Sequence, residues 1–352
     1  MASITGRQPR IISQKPKKTN VFDPTRQPAV DILVRMKSAQ LNRLYSVAKM
    51  YYEDHLNQNE IARRLGVSRT SISRMLNDAQ KHGILTITVN PPLLQETELA
   101  EEIRSTFGIE HVVVVPAMDS EQDTLKAVGH VAAVKLVEIL HPGMSLSMTW
   151  GRAIAEIVNE MPDNNLENIH VTTMVGAIGG MQPELDGPDL ARRMSKALHG
   201  TYEYINAPAV VITGGVRDQL ISTVQIHNVL DKAASSDVMV YGVGTLDDPH
   251  SSLNQAGYIS EQEQHLYQAQ GGVGHLNARI IDANGNEVEE FNKRVVSIPL
   301  AALASAACSM CVVAGVAKAP TLRAILRRQF TNYLIVDSRC AAAMLADTTA
   351  CR

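Results

Sequence analysis

Asn57-Gln58-Asn59-Glu60-Ile61-Ala62-Arg63-Arg64-Leu65-Gly66-Val67-Ser68-Arg69-Thr70-Ser71-Ile72-Ser73-Arg74-Met75-Leu76 reads as two short amphipathic helices folded about a glycine. Asn57 and Glu60 stand at capping-box spacing and start the first helix. Ile61, Ala62 and Leu65 form its apolar stripe, and the small Ala62 lets a partner helix approach closely. Gly66 supplies the turn, because glycine takes a positive φ without a Cβ clash. Val67 fills the corner, and Ser68 is placed to cap the second helix. There Ile72, Met75 and Leu76 point inward at helical spacing, and Gly83 is the stop.

That burial leaves Arg69, Thr70, Ser71, Ser73 and Arg74 on the outer, N-terminal half of the second helix. A helix-turn-helix uses this region to reach base edges and phosphates. An arginine can make a bidentate contact to guanine, while Ser and Thr hydroxyls suit phosphates or either base class. Bland helix pairs share the apolar spacing. The Gly-Val-Ser-Arg corner together with the basic outer face separates this stretch from them. The alternating run Ile84 to Val89 is then expected as the wing of a winged variant.

Charge is split along the chain in the same sense. Residues 1–91 carry 15 Lys and Arg against 6 Asp and Glu, whereas residues 92–352 carry 18 against 30. A basic head on an acidic body suits a polyanionic partner for the head. Three segments are expected: a flexible basic arm over residues 1–36, the DNA-binding head over 37–91, and a body over 92–352 that the resemblance given below makes an effector-binding and oligomerisation domain. The arm holds Pro9, Pro16, Pro24 and Pro28 and a Lys15-Pro16-Lys17-Lys18 cluster. Helical periodicity begins near Lys37, with Leu41, Leu44, Val47, Ala48 and Tyr51 on one stripe, and Asn90-Pro91-Pro92 marks the boundary.

The 352 residues are 45% apolar and 20% charged, ordinary for a chain able to bury a large core. The longest apolar run, Ile298 to Val316, is interrupted by Pro299, Ser305, Ser309 and Gly315, so no bilayer span is expected. Four cysteines are too few for a disulfide framework and point to a reducing cytoplasm. Beyond the boundary, short apolar segments (Val112–Val115, Ser145–Met148, Val171–Val175, Val238–Tyr241, Leu334–Val336) alternate with helical patterns. That alternation predicts a doubly wound, mostly parallel α/β sheet.

Several turns in this body carry chemistry. Ser147-Met148-Thr149-Trp150-Gly151-Arg152 joins a strand to a helix start, which aims backbone N–H groups at an anion, with the Thr149 hydroxyl and Arg152 charge beside them. No Gly-Lys-Ser/Thr follows, so this is not a Walker-type loop, and many strand-to-helix turns contain glycine. A second glycine-rich turn, Gly176 to Gly180, follows the next strand and is expected to bring Gly179 and Gly180 into the same crevice. Gly242-Val243-Gly244-Thr245 follows the Val238–Tyr241 strand, with Asp247 and Asp248 beyond it, either accepting hydrogen bonds from a ligand or simply solvated.

The head together with Leu99–Gly108 (Leu-Ala-Glu-Glu-Ile-Arg-Ser-Thr-Phe-Gly), Gly151-Arg152, Val175-Gly176-Ala177-Ile178-Gly179-Gly180, Gly242-Val243-Gly244 and Gly271-Gly272-Val273-Gly274 resembles the SorC family of sugar-responsive transcription regulators, from about Lys37 to Leu345. The resemblance implies a C-terminal domain like sugar-phosphate isomerases and deaminases, binding a phosphorylated sugar or polyol that modulates binding to double-stranded operator DNA. It also implies a dimer or tetramer. In its terms Thr149, Trp150, Gly151 and Arg152 are the phosphate loop, and Lys318 matches a lysine that contacts the ligand. Two departures stand out: His275 replaces the acidic residue usual after the Gly-x-Val-Gly turn, and Gly315-Val316 replaces a Gly-Gly pair.

Two other function classes are compatible with parts of the chain. An enzyme would draw on Asp247, His250, His275 and Asp337, but no spacing among them demands catalysis and the attached head favours sensing. A regulator of a non-phosphorylated ligand or a protein partner stays open. No cofactor or metal is expected: Cys308-Ser309-Met310-Cys311 lacks a matching second pair, and Cys311 reads as a small core residue.

Overall fold

The computed structural model describes residues 27–85, 96–179, 183–246 and 251–349, with side chains from 40 to 346 within them. The chain divides into two compact units, Met1–Val89 and Asn90–Arg352. The first unit holds α1 (Gln27–Tyr52), α2 (Gln58–Leu65) and α3 (Arg69–Lys81). Helix α1 starts ten residues before the expected position near Lys37, so residues 27–36 are helical rather than part of an irregular arm. Pro28 is the second residue of α1, where its fixed φ favours a helix start and its missing N–H costs nothing.

The α2–α3 corner forms as its residues dictate. The Asn57 side chain accepts from the Asn59 and Glu60 amides while Glu60 reaches back to the Asn57 amide, a complete capping box. Gly66 ends α2 at φ 64, in the left-handed region. Ser68 caps α3 by accepting from the Ser71 amide at 3.2 Å. Leu44, Val47 and Ala48 of α1 bury against Ile61, Ala62, Ile72, Leu76 and Ala79. Leu41, expected on the same stripe, stays 40% exposed. The expected wing lies outside the described residues from Thr86 onward.

The second unit opens with α4 (Thr97–Phe107), β1 (His111–Val115), α5 (Glu121–Ile139), β2 (Ser145–Met148), α6 (Arg152–Asn159) and β3 (His170–Thr173). It continues with α7 (Gly187–Ala197), β4 (Thr201–Tyr202), α8 (Gly214–Ile221), α9 (Val224–Ala234), β5 (Val238–Tyr241) and β6 (Val243–Thr245). Next come α10 (Ser252–Gln255), α11 (Glu261–Ala269), β7 (Gly272–Leu276), β8 (Arg279–Asp282) and α12 (Glu289–Asn292). The last elements are α13 (Leu300–Ser305), β9 (Cys308–Val313), α14 (Ala319–Arg327), β10 (Tyr333–Asp337) and α15 (Ser338–Thr349).

Seven strands form one sheet in the order β1-β10-β9-β5-β2-β3-β4, every neighbouring pair parallel. Strand period sorts its side chains onto two faces. Val113, Val115, Val240, Met310, Val312 and Ile335 pack on one side with Val128, Val131 and Leu136 of α5. Val112, Val114, Tyr241, Cys311, Val313 and Val336 pack on the other with Ile103 of α4, Leu322 of α14 and Met344 of α15. Burial on both faces is why these strands read as unbroken apolar runs. A separate antiparallel sheet, β6-β7-β8, was not foreseen. Cys311 is fully buried on β9, and burial pushes its thiol up. No helix among the described residues is long and apolar enough to cross a membrane.

Ile72 is fully buried at the centre of the head's small core. Ile72→Ala is expected to cost that unit about 2–5 kcal/mol. Hydrogen exchange checks this: amides of α2 and α3 should exchange roughly 10²–10³-fold faster in the variant.

Candidate effector site and DNA-facing helix

Strand β2 is the pivot of the large sheet, pairing with β3 on one side and β5 on the other. The chain leaves β2 toward β3 and β4, but leaves β5 in the opposite direction toward β9 and β10. The carboxyl ends of β2 and β5 thus flank a topological switch point, where open α/β sheets form their ligand crevice. A cavity of about 380 Å³ occupies it. Its wall comes from the segment after β2 (Thr149 to Ile154), after β3 (Val175, Ile178, Gly179) and after β5 (Gly242 to Thr245). The β7–β8 hairpin adds His275, Asn277 and Ala278, the turn after β9 adds Lys318, and α10 closes one side with Ser252 and Gln255.

The segment after β2 has the geometry of an anion site. The Thr149 amide donates to the Val240 carbonyl at 3.2 Å, extending the β2–β5 pairing by one residue. Gly151, at φ 112, turns the chain into α6. No side chain caps that helix and its first turn holds no acid, so the amides of Arg152, Ala153 and Ile154 lack acceptors within the helix. Arg152 itself is exposed at the cavity's rim. Trp150 is 7% exposed and its Nε1 donates to the Gly176 carbonyl at 3.0 Å, which fixes the indole as a wall. Thr149 is 4% exposed, and its Oγ1 is buried with no partner among the described residues.

Three polar side chains converge from the other elements. Lys318 donates from Nζ to the Ala314 carbonyl at 2.8 Å, and burial followed by the Arg152 charge lowers its ammonium pKa. His275 is 4% exposed, with Nε2 unpartnered among the described residues. Burial, and then the nearby Lys318 charge, lower its pKa to about 4, so the imidazole is neutral at pH 7. Its ring lies against Gly244, where an added Cβ would fall 2.0 Å from Nε2, so only glycine admits the ring there. Asn277 is 3% exposed, and both its Oδ1 and Nδ2 are buried without partners among the described residues.

The glycine-rich loop after β3 is held from behind by Asp186. Its Oδ1 accepts from the Ile178 amide at 2.8 Å and the Gly187 amide at 2.7 Å, and its Oδ2 from the Gly179 amide at 3.2 Å. Tyr258 adds a bond from its hydroxyl to the Ala177 carbonyl at 3.0 Å.

Of the sequence-predicted effector residues, Thr149, Trp150, Gly151, Arg152, Gly179, His275 and Lys318 come together on one cavity. Gly180 and Asp247, like His250, lie outside the described residues. Asn277 and Asp186 were missed. Asp186-Gly187-Pro188 carried a legible helix-cap signal, but its grip on the preceding loop did not show. Asp337 belongs to the scaffold: its Oδ2 accepts from the Gly315 amide at 2.7 Å, and its Oδ1 from the Arg339 and Cys340 amides at 3.0 Å each.

On the head, Arg69, Thr70 and Arg74 are exposed along α3, whereas Ser71 and Ser73 are half-buried. The Ser68 hydroxyl lies 2.8 Å from that of Thr70 and 2.9 Å from that of Ser71, drawing both into the cap. Arg63 and Arg64 of α2 are exposed as well and add to the positive surface of this unit.

Comparison with known proteins places this architecture. The family model described as "Putative sugar-binding domain" matches residues 92–346. The transcriptional regulator LsrR of Klebsiella pneumoniae is 29% identical over 305 residues, covering 85% of this chain and 91% of that protein. The sorbitol operon regulator of Klebsiella pneumoniae is 26% identical, covering 88% and 99%. The deoxyribonucleoside regulator of Bacillus subtilis is 25% identical, covering 85% and 96%. These relatives are regulators rather than enzymes. Among solved structures, full-length SorC from Klebsiella pneumoniae superposes with a TM-score of 0.65 at 24% identity, covering 87% of this chain and 99% of that one. A transcriptional regulator from Streptococcus pneumoniae TIGR4 gives 0.67 at 21% identity, covering 72% and 97%, and shares the fold. With a sugar-binding domain over most of its length behind a helix-turn-helix, the chain belongs to the SorC family of sugar-binding transcription regulators.

Proposed function

We propose that this regulator controls a carbohydrate or polyol catabolic operon in the cytoplasm, and that its effector is a phosphorylated sugar or polyol held in the switch-point cavity. The observation that carries the reading is the unpartnered, buried Thr149 Oγ1 beside the uncapped N-terminus of α6, with Arg152 and Lys318 on the same cavity. Free amides, a hydroxyl and two cations on the lining of one cavity suit a dianionic phosphate better than a neutral group. The names of the sorbitol operon and deoxyribonucleoside regulators support a carbohydrate signal for this chain too.

DNA binding falls to Arg69, Thr70, Ser71, Ser73 and Arg74 on α3, two of them charged and free to reach the groove. A single head of this size binds weakly, so a homo-oligomer, dimer or tetramer, places paired heads on a palindromic operator. The effector acts by binding one conformation or assembly better than another, which alters how the pair meets its two half-sites.

Two experiments test the two ends. Arg69→Ala and Arg74→Ala should each weaken operator binding by about 1–3 kcal/mol where the side chain reads a base, or reduce the salt slope where it meets a phosphate. Binding isotherms measured across salt check this, and unchanged curves for both variants remove these arginines from the interface. Thr149→Ala and Arg152→Ala should weaken the phosphorylated effector by roughly 10- to 100-fold, the worth of bonds to a charged group, and leave effector-free operator binding intact. Trp150, the one tryptophan in the chain, reports occupancy through its emission. Wild-type affinity in both variants, or equal affinity for phosphorylated and free sugars, overturns the phosphate reading.

A further inference from the structure

One edge of the large sheet carries apolar surface that the chain itself leaves open. Strand β4 is that edge, and the chain beyond it leads through α8 into α9. A small core under these helices stands apart from the two on the faces of the sheet. It buries Ile205, Ala207, Ile226 and Val296 but leaves Leu220 and Ile221 of α8 half-buried. Among the described residues α8 has none that is buried. The helix is eight residues long and opens on Gly214-Gly215, so neither its length nor its composition holds it without cover. On either side of it in the chain, Ile212 is 81% exposed and Val224 is 69% exposed.

Beside Val224 lies a groove of about 480 Å³ between the β4 edge and α9, walled by Tyr202, Tyr204, Ile226 and Val229. The two tyrosine rings stack with centroids 6.4 Å apart and planes 17° from parallel, and each residue is 40% exposed. Aromatic residues are enriched at protein interfaces. An exposed aliphatic corner next to an open apolar groove is self-complementary, because a two-fold axis seats the corner of each copy in the groove of the other.

The charges around the groove fit a second copy as well. Glu203 lies 2.8 Å from the Lys232 ammonium and 3.7 Å from His170 Nε2. Asp231 is 3.2 Å from His227 Nε2, and Arg217 pairs with Asp218 at 2.9 Å. Both signs are present in near balance here, on a body whose residues 92–352 carry 18 Lys and Arg against 30 Asp and Glu. Two copies of so acidic a body repel over most of their surface, and a balanced face is where they meet at least cost. The same balance gives a nucleic acid or an anionic membrane nothing to hold.

We propose that the β4 edge and the α8–α9 corner form a two-fold interface between two copies of this chain, with Val224 of each copy seated in the groove of the other and Ile212 packed at its margin. This rests on the homo-oligomer of the proposed function and gives it a surface; it does not depend on what the cavity binds. The rim of paired charges surrounds an apolar centre, the usual anatomy of such a contact.

Val224→Asp and Ile212→Asp test this in the full chain. Both side chains are mostly exposed in the single chain, and aspartate at the first position of α9 suits its dipole, so each protomer keeps its fold. Far-UV circular dichroism of both variants should match wild type. Sedimentation velocity over a concentration series reads the association. The expected result is a dimer, or an assembly of dimers, for wild type, and a rise of at least about tenfold in the dissociation constant for each variant, since the new charge is buried without a partner. Thr106→Asp, exposed on α4, which packs on β1 at the opposite edge of the sheet, should leave the constant unchanged. Constants for both variants within about threefold of wild type overturn the inference and leave this face to a different partner, with the homo-oligomer still standing. An equal rise for Thr106→Asp also overturns it. A wild-type chain that is monomeric at every concentration overturns the homo-oligomer and the inference together.

Discussion

The parallel pairing of β2 with β5 is the constraint on which the effector site depends. Leu146 and Met148 are in register with Val238 and Val240, and the bond from the Thr149 amide to the Val240 carbonyl carries that register past the end of β2. Because the two strands end together, the turn into α6 and the turn into β6 start side by side. Every other wall is placed relative to that junction. The β3 loop enters through the Trp150 bond to Gly176, and the β7–β8 hairpin enters because β7 pairs with β6, the direct continuation of β5. A single one-residue slip between β2 and β5 would turn Thr149 from the cavity to the sheet's opposite face.

What could be read in the sequence was whatever is encoded locally. The α2–α3 corner was legible to the residue, because caps and a glycine turn act over three or four positions. The large sheet was legible because strands buried on both faces cannot hide their apolar character, as Val112 to Val115 show. The turn from β2 into α6 was legible as a strand-to-helix junction with a polar, glycine-containing link. The resemblance added Lys318 and His275, which no local pattern singles out.

The rest depends on contacts far apart in the chain. Strand β6 is three residues long and carries too little periodicity to announce itself, so the hairpin behind it went unread. Without that hairpin Asn277 is one more asparagine in a polar loop. That its amide makes no hydrogen bond among the described residues is a property of the folded neighbourhood rather than of the sequence. Asp186 is similar: the cap it gives α7 is local, but its bonds to Ile178 and Gly179 close a loop across seven or more residues. The expected α1 stripe erred at Leu41 because periodicity gives a helix's apolar face without saying how far along it the neighbours extend.

A site built on a sheet that also serves enzymes can be judged by whether its groups are poised to move protons. A general acid or base works best with a pKa near the operating pH. The neutral His275, held at about 4 by burial and by Lys318, is a weak base at pH 7 and offers a hydrogen bond rather than a proton sink. Asp337 spends both carboxylate oxygens on backbone amides. Among the described residues, the Thr149 hydroxyl, the His275 Nε2 and the Asn277 amide, on residues that line the cavity, make no hydrogen bond within the protein. A ligand that binds one arrangement of the chain better than another favours that arrangement. That difference in affinity between arrangements is the only means by which a bound molecule can shift an equilibrium. Such groups at a switch point, with the pKa of His275 held well below 7, suit a site that binds a ligand rather than one that turns it over.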